Sequence, residues 1–343
     1  MRVALDTNPL YISQAGVARY VEGLRQGLRA VAPVDLQVEE LAWTVDNFGY
    51  AQPMRAIKTA WRELIWAPLI SPGRMRRVDL VNHLAGPLMP LIKGPRHVVT
   101  LCDVALLRHP ERFRRWQRWS GARRLRHVRA ADRVVCISRF TADEAMAVLG
   151  LPARQLEVVY PGVTLAVRED PLPVLPAEFY LFVGSLEPGK NLAFLNALWR
   201  EHGARLPPLV VVGARWSGVP GEGAPPAGWI YLGYQSDGAL LALYRRARAL
   251  LFPSIYEGFG LPLVEAMAAG CPVICSPRAS LPEVAGGAAC LAELDASHWL
   301  RVMQDVGREA ASWRQRGQVR AREFSWVKCA TETVRIYRSV LGG

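Results

Sequence analysis

Short runs of apolar residues alternate with amphipathic stretches along the chain, and this alternation repeats in two successive blocks. Apolar runs bounded by turn residues are typical of buried strands, and the 3.6-residue periodicity between them is typical of helices. The pattern therefore predicts an α/β protein with two doubly wound, Rossmann-like domains. Strands are predicted at residues 2–6, 78–83, 98–101, 133–138 and 156–163 in the first block, and at 179–184, 209–213, 230–234, 249–252 and 272–276 in the second.

A proline-rich segment separates the two blocks. Residues 170–176 contain three prolines, a composition that is typical of a linker. We therefore expect one domain over residues 1–168 and a second over residues 177–322. A last helix with apolar periodicity, within residues 323–343, follows the second domain.

Composition places the chain among globular proteins. Of its 343 residues, 51% are hydrophobic and 21% are charged. No apolar run reaches the roughly 18–20 residues that cross a bilayer, and the N-terminus runs directly into a predicted strand without a secretory signal. The six cysteines lack a zinc-binding spacing, which favours reduced thiols. We therefore expect a cytoplasmic protein.

The net charge of +12 is concentrated in the N-terminal half. Residues 1–165 carry 24 Lys and Arg against 14 Asp and Glu, a net charge of +10, which leaves +2 for the rest of the chain. Nine arginines fall within residues 108–129, interleaved with aromatic residues. This segment fits a solvated basic helix, a peripheral contact with an anionic membrane surface, or a phosphate-bearing acceptor. Nucleic acid is a less favoured partner, because no nucleic-acid-binding motif accompanies the charge.

The strongest functional signal lies between a predicted strand and a predicted helix, at residues 253–273. A loop with two glycines ends at Gly260, and Pro262 opens the helix. Backbone N–H groups and the dipole at such an N-terminus favour an anion, whereas carboxylates accept hydrogen bonds from sugar hydroxyls. Glu257 and Glu265 flank this N-terminus. The pattern therefore fits a nucleotide-sugar site, and equally a helix cap with acids that favour the dipole.

The segment from Glu257 to Glu265 resembles the E-x7-E motif of retaining glycosyltransferases of family 4. That family has the GT-B fold, in which two Rossmann-like domains face each other across a cleft. The resemblance implies an N-terminal acceptor-binding domain, a C-terminal domain that binds the nucleotide sugar, and a last helix that crosses back to the first domain. It also implies that Glu265 holds the ribose. The residues implied to face the sugar and the diphosphate are Glu257, Gly258, Phe259, Gly260 and Leu261.

Three further segments resemble donor-binding turns of the family. Lys190 matches a basic residue that clamps the diphosphate, but Ser185 and Gly189 stand where relatives carry arginine. A lysine at a helix start suits phosphate as a point charge. The donor-binding candidates from these segments are Gly16, Gly184, Ser185 and Lys190, and Gly233 and Tyr234 beside the nucleobase.

One position departs from the family at the donor sugar. Cys102 precedes Asp103 where relatives carry a histidine that touches the sugar, and a thiol is a poor hydrogen-bond donor. The departure fits a donor that lacks a hydroxyl, such as a 6-deoxy sugar, another group such as His83 or His109 in that role, or impaired catalysis. The candidate catalytic residues are Glu257, Lys190, Asp103 and Cys102.

The resemblance implies a retaining glycosyltransferase that moves a mannose-type or 6-deoxyhexose sugar from a nucleoside-diphosphate donor, GDP- or UDP-linked. The implied acceptor is a glycan or a lipid-linked glycan in cell-surface polysaccharide synthesis. The sequence has no Asp-x-Asp motif, so we expect neither a metal ion nor a cofactor. The departures at ligand-facing positions also fit an alternative, a sugar-nucleotide-binding subunit with little or no turnover.

Overall fold

The computed structural model describes residues 1–12, 16–45, 52–87, 91–113, 115–213 and 226–342, and the chain forms two compact units. The first unit contains Met1–Gly162 together with Ser325–Gly343, and the second contains Val163–Phe324. The second unit is therefore inserted into the chain of the first.

Six parallel strands form the sheet of the first unit, in the order β2-β1-β3-β4-β5-β6. Strand β3 is buried along its whole length, as is typical of strands that are covered by helices on both faces. The apolar pattern does not predict β2, because this strand lies at the sheet edge, three of its five residues are polar and its first three are exposed. The strands are β1 (Arg2–Asp6), β2 (Gln37–Leu41), β3 (Leu80–Leu84), β4 (Arg96–Leu101), β5 (Arg133–Cys136) and β6 (Leu156–Val158).

Six parallel strands also form the sheet of the second unit, in the order β12-β11-β10-β7-β8-β9. They are β7 (Tyr180–Val183), β8 (Leu209–Val212), β9 (Trp229–Gly233), β10 (Leu250–Phe252), β11 (Val273–Cys275) and β12 (Cys290–Leu291). The chain builds outward from β7 to β9, then returns to place β10 on the other side of β7. Open α/β sheets bind ligands at such a reversal of strand order. The predicted α/β fold with two doubly wound sheets is confirmed.

Helices connect the strands in both units. In the first unit the described helices are α1 (Gly16–Val31), α2 (Gln52–Trp61), α3 (Ser71–Met75), α4 (Ala105–Arg108), α5 (Arg115–His127), α6 (Arg139–Leu149) and α13 (Trp326–Leu341). A π-helical segment, Arg62–Ile70, joins α2 to α3. In the second unit they are α7 (Leu192–His202), α8 (Asp237–Arg246), α9 (Leu261–Ala269), α10 (Leu281–Ala285), α11 (Ala296–Arg308) and α12 (Ala310–Ala321).

The last helix, α13, packs against α1 and completes the core of the first unit. Tyr337 on α13 is fully buried, and its hydroxyl accepts a hydrogen bond from Asn82 Nδ2 at 2.7 Å. Gly23 on α1 leaves room for the Trp326 ring, because a Cβ at this glycine would lie 2.0 Å from the indole. Close helix packing therefore fixes α13 on α1.

Candidate active site

The two strands at the reversal in the second sheet each end in a turn that contains glycine. Strand β7 leads into Gly184 and a loop that closes with a 3-10 turn at Pro188–Lys190, and β10 leads into the loop before α9. The Ile255 backbone N–H donates to the Gly189 carbonyl at 2.9 Å, which joins the two loops. Candidate residues from separate segments of the chain therefore lie together at one edge of the sheet.

A close approach of two backbones shapes this edge. Gly213 follows β8 with φ of +140°, and a Cβ there would lie 1.7 Å from the Gly184 carbonyl oxygen. The Gly213 N–H donates to the Gly233 carbonyl at 2.9 Å, and the Tyr231 hydroxyl donates to the Gly213 carbonyl at 2.5 Å. Only glycine fits at this position. The local pattern does not single out Gly213, although its place at the end of a predicted strand is a usable signal.

Lys190 and Glu257 form an ion pair at the reversal. Lys190 Nζ lies 2.6 Å from Glu257 Oε1, and the two side chains are only 14% and 10% exposed. The ammonium also lies 5.6 Å from the centroid of the Phe252 ring. The Ser280 hydroxyl donates to the Glu257 carbonyl at 2.9 Å, which helps to fix the loop. A charge-assisted hydrogen bond of this length in a mostly buried setting orients both groups.

The N-terminus of α9 lies directly after this loop. Gly260 caps the helix with φ of +95°, and a Cβ there would lie 2.9 Å from Leu281 Cδ2. Phe259 is buried with its ring edge-on to Phe324, at 5.3 Å between centroids. Gly258 is also buried, and Leu261 is the first residue of the helix. The backbone at this N-terminus is therefore held in place by packing on both sides.

Glu265 lies in the second turn of α9 and is buried. One of its oxygens, Oε2, accepts a hydrogen bond from the hydroxyl of Tyr244, a buried residue of α8, at 3.1 Å. The bond fixes one carboxylate oxygen and orients the other. Tyr244 is a positioning residue that the sequence did not reveal, since nothing in its local pattern distinguishes it from a core tyrosine.

The remaining candidates of the second unit flank this cluster to different degrees. Ser185 and Gly184 are half-buried at the end of β7. Gly233 ends β9 with φ of +69°, and the Tyr234 side chain that follows is 64% exposed. The hydrogen bond between Gly213 and Gly233 ties the end of β9 to the end of β8.

Three candidates belong to the first unit. Gly16 is the first residue of α1 and is exposed. Cys102 directly follows β4, and burial raises the pKa of its thiol to about 12, so this side chain is neutral at physiological pH. Asp103 Oδ1 accepts the N–H of Ala105 at 2.8 Å, which stabilises the start of α4. The carboxylate of Asp103 therefore has a structural contact at the start of α4.

His83, one alternative to the missing family histidine, is a buried member of a histidine pair. Its Nε2 lies 3.0 Å from Nδ1 of His97, and Nε2 of His97 lies 2.9 Å from the Ile92 carbonyl oxygen. His97 therefore donates to that carbonyl and accepts from His83, so both rings are neutral. Burial lowers the pKa of His83 to about 3. This imidazole is a core group of the first sheet.

Within the described ranges, no group of three or more His, Cys, Asp and Glu side chains is arranged to hold a metal ion. None of the helices in these ranges combines the length and the hydropathy that a membrane span requires.

Two doubly wound parallel sheets, with a largely buried lysine–glutamate pair at the reversal of the second, match the architecture of the GT-B class of glycosyltransferases. Residues 15–167 match the family model described as Glycosyltransferase Family 4. Residues 167–290 match the model described as Glycosyl transferases group 1. The chain belongs to glycosyltransferase family 4, and the prediction of a glycosyltransferase is confirmed.

Individual relatives agree with this assignment. The chain is 33% identical over 279 residues to O-antigen chain mannosyltransferase B of Escherichia coli, which covers 71% of this chain and 70% of that one. Sucrose-phosphate synthase from Thermosynechococcus elongatus superposes with a TM-score of 0.71 at 18% identity, covering 100% and 99% of the two chains. Anabaena Alr3699/HepE, in complex with UDP and glucose, gives 0.68 at 15% identity, covering 98% and 99%. These two structures share the fold of this chain.

Proposed function

We propose that this glycosyltransferase moves a mannose-type sugar from a GDP- or UDP-linked donor to a glycan or lipid-linked acceptor in cell-surface polysaccharide synthesis. Similarity to an O-antigen chain mannosyltransferase supports the sugar class and the polysaccharide. The complex of HepE with UDP and glucose supports a nucleoside-diphosphate donor. The observation that carries the proposal is the 2.6 Å pair of Lys190 and Glu257 beside the N-terminus of α9. This pair brings a cation to a carboxylate of the loop that leads into α9.

In this proposal the donor is held by the second unit. The diphosphate lies at the N-terminus of α9, where the dipole and the backbone of residues 258–261 favour negative charge, and Lys190 supplies the positive side chain. Glu265 accepts hydrogen bonds from the ribose hydroxyls, and the Tyr244 hydroxyl orients its carboxylate. Glu257 accepts from hydroxyls of the transferred sugar.

The proposed reaction retains the configuration at the sugar carbon. The bond between that carbon and the phosphate oxygen breaks, and the acceptor oxygen forms the new bond on the same face. The acceptor proton passes to the leaving phosphate oxygen, so atoms and charge balance without a protein nucleophile. Lys190 and the α9 dipole stabilise the negative charge that develops on the leaving diphosphate.

The first unit is proposed to bind the acceptor. Its sequence carries the basic excess of the chain, which suits an acceptor with phosphate groups or an anionic membrane surface at the Arg-rich segment 108–129. Gly16, Cys102 and Asp103 are the residues of this unit proposed to approach the donor.

A donor panel tests the function. Purified protein is mixed with GDP-, UDP-, ADP- and dTDP-sugars, and thermal shift and donor hydrolysis are measured in parallel. We expect the largest shift and the fastest hydrolysis with GDP-mannose, and both effects should be lost in Glu265→Ala. Tight binding without hydrolysis or transfer of any donor would favour the alternative of a binding subunit. NMR of the product then reports whether the configuration is retained.

Cys102 gives a separate test of the sugar. Cys102→His restores the histidine that relatives carry beside the donor sugar. Cys102→Ser is the matched control, which introduces a small hydroxyl. If the enzyme prefers a 6-deoxy donor, Cys102→His should shift the ratio of kcat/KM values toward the 6-hydroxylated sugar, with little change in thermal stability. An unchanged ratio would argue against the 6-deoxy donor and leave mannose as the favoured sugar.

A further inference from the structure

An apolar face of the first unit points to solvent. Met54, Ile57 and Trp61 follow each other at spacings of three and four residues along α2, so they share one side of that helix, and Leu64 follows three residues later in the π-helical segment. Ile57 is 61% exposed and Leu64 is 68% exposed, and the other two are also exposed. We call these four residues the apolar face. Single exposed apolar side chains are common, but a helical row of them marks an interaction surface.

The fold of this unit does not need the apolar face. The core contacts of the π-helical segment are made by Trp66 and Ala67, which pack with Met75 of α3 and with Ala4 and Val81 of the sheet. The stretch therefore has one apolar side for the core and a second apolar side that is exposed to solvent. A helix that is apolar on two sides has a second partner.

An arginine-rich helix lies next to the apolar face. Glu63, which adjoins Leu64, accepts a hydrogen bond from Arg124 of α5 at 3.0 Å, and this contact holds α5 against the π-helical segment. Helix α5 contains five arginines and no acidic residue, and one of these arginines is Arg124. The helix that carries the arginines and the segment that carries exposed apolar side chains are therefore neighbours in the first unit.

One side of α5 has the composition of a membrane interface. Arg115, Trp119, Arg123 and Arg126 recur at spacings of four, four and three residues, and all are exposed. Trp119 is 68% exposed, with the Arg123 guanidinium 5.9 Å from its ring centroid. We call these four residues the basic stripe. Residue 114 and the side chains of residues 116 and 120 lie outside the described part of the chain.

We propose that the apolar face inserts into the headgroup region of an anionic bilayer while the basic stripe binds the lipid phosphates. Charge complementarity selects this partner: arginine and tryptophan beside a row of aliphatic side chains match an anionic lipid surface. A nucleic acid would leave the aliphatic side chains in water, and a protein would have to be both acidic and apolar. The inference extends the proposed function, since it rests on the membrane contact of segment 108–129 and names the element that enters the bilayer.

Flotation with vesicles tests the proposal. Full-length protein is mixed with vesicles of phosphatidylcholine alone or with 30% phosphatidylglycerol. We expect binding to the anionic vesicles only, reduced roughly tenfold in Ile57→Ser/Leu64→Ser and at least as much in Arg115→Gln/Arg123→Gln. The matched control is Val319→Ser/Val327→Ser, which removes two exposed apolar side chains elsewhere and should bind as wild type does.

The arms separate the possible failures. If the arginine variant loses binding and Ile57→Ser/Leu64→Ser keeps it, the membrane contact stands and the insertion is refuted. If the serine variant instead changes the mass in light scattering and vesicle binding is absent, the apolar face is a contact between copies of the chain. Retention of vesicle binding by both variants overturns the proposal. Donor hydrolysis, measured without vesicles, should be unchanged in Ile57→Ser/Leu64→Ser and in Val319→Ser/Val327→Ser, so a failed donor assay in wild type tests only the proposed activity.

Discussion

Lys190 Nζ and Glu257 Oε1 lie 2.6 Å apart although the two residues are separated by 67 positions in the sequence. The lysine that is proposed to bind a diphosphate is thus already paired with the carboxylate that is proposed to bind the sugar. A phosphate oxygen must share this ammonium with Glu257 or take it over. The pair therefore couples recognition of the sugar to recognition of the leaving group.

Lys190→Met should weaken binding of GDP or UDP by roughly 10- to 150-fold, because it removes a charged hydrogen bond worth about 1.5–3 kcal/mol. Glu257→Gln should bind the nucleotide at least as tightly as wild type and turn over more slowly, because it removes a competing charge and a sugar contact. Calorimetry and steady-state kinetics measure the two effects. Lys328→Met, on α13, is the control, and wild-type affinity in Lys190→Met would refute the diphosphate site.

Tyr244→Phe should raise the KM for the donor about two- to tenfold and change kcat little, because it removes one hydrogen bond worth about 0.5–1.5 kcal/mol that orients Glu265. Tyr180→Phe is the matched control. Its buried hydroxyl donates to the Met303 carbonyl at 3.0 Å in the same unit, so it should lower stability without changing KM. Equal KM values in the two variants would show that Tyr244 has a structural role only.

Gly213→Ala should lower the free energy of unfolding by at least about 3 kcal/mol and abolish nucleotide binding, because its Cβ would meet the Gly184 carbonyl. Gly233→Ala is the comparison. It also has positive φ, but a Cβ there meets nothing within 4 Å, so we expect a cost of about 1–2 kcal/mol. Urea unfolding measures both, and similar losses would contradict the steric explanation.

The His83 pair makes stability depend on pH. The unfolded chain binds a proton at His83 near pH 6.5, whereas the folded chain does so only near pH 3, because burial lowers the pKa. Stability is therefore complete above pH 6.5 and falls as the pH decreases, by about 2 kcal/mol at pH 5. His83→Gln should lose about that much less between pH 7.5 and pH 5, measured by chemical unfolding at each pH. His202→Gln, the control in the second unit, should keep the wild-type slope.

Local sequence signals were sufficient for the elements around the site. Helix α9 begins beside Pro262 and ends before Gly270, because proline and glycine act within one turn of the backbone. Likewise Gly150 ends α6 with φ of +61°. The alternation of strands and helices predicts a parallel sheet, but it does not determine the strand order that places β7 beside β10.

Contacts between distant segments were beyond the sequence. Tyr244 on α8 donates a hydrogen bond to Glu265 on α9, and Gly213 after β8 lies against the Gly184 carbonyl after β7. No local pattern marks either contact. The sequence pattern does not predict the short edge strands β2 and β12, because hydrogen bonding to a neighbouring strand, and not apolar periodicity, defines them. The position of His83 at a strand end suggests a ligand-facing group, but its partner His97 lies on the neighbouring strand and places it in the core.

Helix α13 has a consequence for the order in which the protein is made. The ribosome releases the strands of the first unit early and delivers α13 only after the whole second unit has been synthesised. Until then the first unit lacks the packing of Trp326 against Gly23 and the hydrogen bond from Asn82 to the Tyr337 hydroxyl. The half of the enzyme that is translated first is thus the last to finish folding, and a nascent chain stalled before Ser325 should carry a mature second unit beside an incomplete first one.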